Sequence, residues 1–134
     1  MAKLLDVEGI GPVYAQKLKD AGVGSTDVLL KVGSTAKGRQ DLAEKTGVAH
    51  TLILEWVNHV DLFRIKGVQE EYSDLLEEAG VDTVPELAQR NPDNLFEALV
   101  KTNAEKKLVR KMPTKKQVAD WVNQAKKLPR VINY

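Results

Sequence analysis

The sequence predicts an all-α protein, and three observations predict it. Apolar residues recur at spacings of one, three and four, as in Leu52, Ile53, Trp56, Val57 and Val60, which is the stripe of a helix with one buried face. Residues that start helices stand before such stripes (Ser25, Asn91 and Thr114), and Gly22 and Gly47 stand after them. No stretch alternates apolar and polar residues over the length of a strand.

Each element has its own reason. A short helix over about Lys3–Val7 leads into Glu8-Gly9-Ile10-Gly11-Pro12. Two glycines bracketing one apolar residue make a tight hairpin. Pro12 suits the first position of a helix, where its missing N–H is not needed. Tyr14, Ala15, Leu18 and Ala21 then recur at helical spacing up to Gly22. Ser25 caps a third helix through Lys31, and Ser34 or Thr35 opens a fourth that stops at Gly47. A long helix runs from about Ala49 to Phe63. Further helices are predicted over Glu70–Ala79 and Val84–Arg90, the latter capped by Thr83. Asn91-Pro92 starts another. Asn103 is read as the cap of a basic helix through Lys111, broken at Met112-Pro113. Thr114-Lys115-Lys116-Gln117 has capping-box form, and Pro129 ends the last helix. The tail Arg130–Tyr134 is read as a strap that docks or frays.

The chain reads as two copies of one unit. Gly9, Tyr14, Leu18, Ala21, Gly22 and Val23 return 58 positions later as Gly67, Tyr72, Leu76, Ala79, Gly80 and Val81. The closing words Glu55-Trp56-Val57-Asn58 and Asp120-Trp121-Val122-Asn123 are offset by 65, so the second copy carries about seven extra residues between Pro92 and Pro113. The copies are assigned as domains 1–61 and 62–134.

With Gly9-Ile10-Gly11-Pro12, the following helix and Ala21-Gly22-Val23 in that order, the chain resembles the helix-hairpin-helix family. It looks closest to an uncharacterised bacterial family of duplicated hairpin domains. The resemblance implies two fused helix-hairpin-helix-containing bundles related by a pseudo-twofold repeat. It also implies that backbone amides of the hairpin and its second helix hold a phosphate of DNA or RNA without reading bases. The physical basis is general: first-turn amides lack intrahelical partners, and the helix dipole favours an anion there.

Composition limits the alternatives. The chain has 134 residues and no Cys, which excludes disulfides, thiolate metal sites and a Cys nucleophile and fits a reducing cytoplasmic setting. No apolar run approaches a membrane span, and the start Met-Ala-Lys-Leu-Leu-Asp lacks an extended signal-peptide core. Net charge is only +1 but unevenly spread. Residues 1–60 carry seven basic and seven acidic groups, residues 61–100 three and ten, and residues 101–134 ten and two. Such a molecule suits a polyanion at one end, or its own acidic part in a neighbour.

The expected nucleic-acid contacts are Gly9, Ile10, Gly11, Val13 and Lys17 at the first hairpin. Lys107, Arg110 and Lys111 join them, read as one face of the basic helix. Against the first hairpin stand Glu8, a carboxylate beside the ligand, and Val13, where DNA-binding relatives often carry Lys or Arg. The second hairpin keeps Gly67 but has Gln69 for the other glycine, and Glu70 and Glu71 already answer its helix dipole, so it reads as structural. Ala43, Gly47, Val48 and Ile53 resemble the helix-turn-helix spacing, but the outward positions Ala49, His50, Thr51, Leu54 and Glu55 offer nothing suited to base edges. That match reads as a packed corner.

Catalysis has little support. His50 and His59 are nine apart without metal-ligand spacing, and nothing marks Lys17 or Lys19 as a lyase amine. No cofactor is expected. The functional expectation is a non-enzymatic module that binds nucleic acid through its phosphates. The alternative is a protein-interaction or scaffold domain, or one that self-associates, using acidic and basic faces.

Overall fold

The computed structural model describes residues 3–134; Met1 and Ala2, where the argument against a leader begins, lie outside the described residues. Every regular element among the described residues is helical. The chain divides into two compact units. One runs to Asp61 and is rejoined by Val131–Tyr134; the other is Leu62–Arg130.

The first unit opens with a 3-10 turn over Leu4–Asp6, closed on itself by the Lys3 amide donating to Asp6 Oδ2 at 2.8 Å. Helix α1 follows at Pro12–Asp20 with Gly11 as its cap residue. Helix α2 spans Thr26–Val32, and Ser25 Oγ accepts from the Val28 amide. Thr35, rather than Ser34, caps α3 (Ala36–Thr46), and Gly47 ends it in the left-handed region at φ +73°. Helix α4 covers His50–Leu62. Leu18, Leu29, Ile53 and Val57 are fully buried in the core these helices share. The tail docks: the Asn133 amide donates to the Ser34 carbonyl at 2.7 Å, and Ile132 is buried.

The second unit holds α5 (Glu70–Glu78), α6 (Val84–Ala88), α7 (Pro92–Lys106) and α8 (Lys115–Lys127). Leu75, Leu76, Leu87, Leu95 and Val122 are fully buried in its core. Two expectations fail here. Helix α6 ends at Ala88, and Thr83 occupies the cap position without accepting a cap bond; its side chain is buried instead. The basic helix Asn103–Lys111 does not form. Helix α7 continues through Asn103 to Lys106, Lys107 turns into the left-handed region at φ +51°, and a loop reaches Thr114. The reason is the use of Asn103. Its carboxamide caps nothing and binds the Val109 backbone twice, accepting at 3.0 Å and donating at 3.2 Å. Thr114 and Gln117 form the expected reciprocal box at the start of α8.

The two units repeat one local arrangement. Gly9 and Gly67 have φ of +90° and +95°. Tyr14 packs on Trp56 with ring centroids 5.1 Å apart, and Tyr72 on Trp121 at 5.3 Å. The seven-residue excess of the second copy falls partly in α7, of 15 residues against 11 in α3, and partly in the loop after it.

Candidate functional site

The first hairpin is built by the 3-10 turn, α1 and α4. The Ile10 amide donates to the Val7 carbonyl at 3.0 Å, and the Ile10 side chain is 4% exposed, so it plugs the turn into the unit's own core. Gly9 is exposed. A Cβ on it would lie 3.2 Å from the indole nitrogen of Trp56. Gly11 is extended at φ −90°, ψ −175°, and no atom lies within 4 Å of where its Cβ would stand. It caps α1 without a side chain, and Pro12 has no N–H. The Val13 and Tyr14 amides are therefore the first donors of α1, with no capping group over them. Val13 is 69% exposed, and Lys17 and Lys19 are exposed further along α1. Glu8 is exposed on the approach.

The second hairpin differs in four ways. Gln69 stands in for Gly11 with nearly the same backbone, φ −116°, ψ −169°. Glu70 and Glu71 fill the first turn of α5. The Gln124 carboxamide holds both backbone groups of Lys66, accepting at 2.8 Å and donating at 3.0 Å. Arg64 donates to the Pro129 carbonyl at 2.7 Å.

Lys107, Arg110 and Lys111 are exposed, but they sit on the loop after α7 and share no helix face. Asn103 fixes this loop at Val109, and the Tyr72 hydroxyl fixes it at the Lys111 carbonyl. The neighbouring Lys106 pairs with Glu78, which holds its ammonium pKa above the ordinary value through that hydrogen bond and charge. Lys115 lies 5.7 Å from the Phe96 ring centre.

Nothing in the sequence sets Arg39 apart from the other charges, yet it is 2% exposed and donates to the carbonyls of Gly33 and Asn133. Val48 and Ile53 of the helix-turn-helix-like segment are buried, which makes that segment a packed corner. No helix among the described residues is long and apolar enough to cross a membrane.

The fold and this turn define an all-α protein built on a repeated glycine–tyrosine–tryptophan hairpin. The model of a family described as a domain of unknown function, DUF4332, matches residues 8–128, and the chain belongs to that family. No curated protein and no solved structure matches the chain.

Proposed function

We propose that the chain is a non-enzymatic tandem helix-hairpin-helix module of the cytoplasm, its two hairpins related by a pseudo-twofold repeat, that binds DNA or RNA through backbone phosphates without reading sequence. Gly11 carries this reading. Neither φ nor crowding demands glycine there, and Gln69 occupies the matching place on nearly the same backbone. A bare residue before the free amides of Val13 and Tyr14 suits an oxyanion that must come close. Lys17 and the fixed basic loop add long-range attraction.

Fluorescence anisotropy at low salt, with labelled single-stranded and duplex oligonucleotides, tests it. Binding in the tens-of-micromolar range or tighter is expected, falling steeply with salt. Gly11→Gln, which copies the second hairpin, should weaken binding about tenfold, the worth of a charge-assisted hydrogen bond, while the protein stays folded. No binding to either oligonucleotide at the highest soluble concentration refutes the reading. One observation favours a protein-interaction role instead: Leu5 and Val13, near the same turn in sequence, are 55% and 69% exposed.

A further inference from the structure

The two hairpins carry the same tyrosine, but only one has its hydroxyl occupied by the chain. Tyr72 donates to the Lys111 carbonyl at 3.0 Å, and Lys111 is brought there by the loop that the second copy adds. Tyr14 sits on Trp56 as Tyr72 sits on Trp121. The first copy has only Gly47-Val48-Ala49 between α3 and α4, where the second has a loop from Lys107 to Thr114. The Tyr14 hydroxyl meets no acceptor among the described residues.

From this pairing we infer that Tyr14 is a ligand-binding residue of the first hairpin, donating its hydroxyl to a phosphoryl oxygen. The inference rests on the proposed phosphate-binding role and adds a side chain to it. The Lys111 carbonyl shows what the second copy supplies at this position: an oxygen acceptor. In the first copy the ligand supplies that oxygen. The indole is common to both copies: the Trp56 nitrogen lies against Gly9. The Trp121 nitrogen stands against Gly67 in the same manner, so the tyrosine is what separates the copies. The second hairpin is then closed by the protein's own loop, and the duplication has divided into one binding copy and one self-satisfied copy.

The test is anisotropy with a labelled oligothymidylate, using wild type, Tyr14→Phe and Tyr72→Phe. Phenylalanine keeps the ring against tryptophan, and thermal melting confirms that each variant folds. Tyr14→Phe should weaken binding about five- to tenfold, as for loss of one hydrogen bond to a charged group. Because the phenol is neutral, the slope of log affinity against log salt should stay as in wild type, whereas loss of a cation lowers it. Tyr72→Phe, which frees only the tether of the basic loop at Lys111, should weaken binding less than Tyr14→Phe does. Inorganic phosphate in excess should displace the strand if an isolated phosphoryl group suffices, and should leave it bound if the site needs a diester within a chain; either result leaves the hydroxyl's role standing provided Tyr14→Phe is weakened. Wild type that binds while Tyr14→Phe binds equally overturns this inference alone. Wild type that binds no strand overturns the underlying reading, and this inference with it.

Discussion

Gly9 lies against Trp56 so closely that a Cβ would stand 3.2 Å from the indole nitrogen, on a backbone whose φ is +90°. Two separate demands therefore fall on one residue. The left-handed conformation strains any L side chain, and the indole would have to yield by a few tenths of an ångström to admit a methyl group. Gly9→Ala should destabilise the first unit by about 1–3 kcal/mol. Gly67→Ala should cost the second unit a similar amount, since its Cβ would lie 3.1 Å from Trp121 at φ +95°. Gly11→Ala meets neither demand and should cost less than about 1 kcal/mol, the loss expected at a helix cap. Urea unfolding of the three variants measures the difference. Equal costs at positions 9 and 11 would remove the distinction between a glycine the fold needs and one that it does not.

Asn103 organises the basic loop from within α7. Its carboxamide makes two bonds to Val109, and Val109 is 7% exposed. Asn103→Ala should leave those backbone groups unpaired at a cost of about 1–3 kcal/mol. The loop should also open to trypsin, with faster cleavage after Lys107, Arg110 and Lys111. Limited digestion followed by mass analysis reads this directly. A digestion rate equal to wild type would mean that the buried Val109 side chain alone fixes the loop.

Local chemistry was legible; side chains used at a distance were not. Ser25, Thr35, Asn91 and Thr114 cap helices because each bonds an amide two or three residues ahead, a relation written in the order of residues. Asn103 carries the same signal, but it reaches six residues ahead to a loop, and the basic run after it imitated a helix. Lys107 turns left-handed without being glycine, so no residue type marked the stop. The hairpin itself was readable because glycine, proline and the 58-residue repeat are properties of the string. The exchange of Gly11 for Gln69 was readable too, but the bond from Tyr72 to Lys111 was not, because it lies in what the added loop touches.

Lys17 offers a quantitative check on the proposed function. It is exposed on α1, beyond the amides of Val13 and Tyr14. A phosphate held at the turn should feel its charge. Lys17→Gln should lower affinity for all strands alike and reduce the salt slope by about one, the loss of one phosphate contact. Titrations at several salt concentrations, with two unrelated sequences, give both quantities. An unchanged slope would place the bound strand elsewhere, and a parallel test at Lys111 would show whether the loop carries it instead.

Arg39 makes the most demanding case because it is a buried cation with two jobs. Its Nη1 donates to the Gly33 carbonyl at 2.8 Å and its Nη2 to the Asn133 carbonyl at 3.0 Å. Its guanidinium carbon lies 5.8 Å from the Tyr134 ring centre. The fork thus joins the end of α2 to the docked tail, which also donates from the Asn133 amide to Ser34. Arg39→Met fills much of the same volume but leaves both carbonyls without their donors. It should destabilise the first unit by about 2–4 kcal/mol, since hydrogen bonds to charged groups are the stronger kind. Arg39→Lys should not restore it, because one ammonium cannot reproduce the two-pronged geometry. Hydrogen exchange at the Asn133 amide separates tail release from general loosening. It should rise toward the unprotected rate in both variants while amides in the middle of α4 keep their protection. Full protection of Asn133 in Arg39→Met would mean that burial of Ile132 alone holds the tail, and that the guanidinium serves only the turn at Gly33.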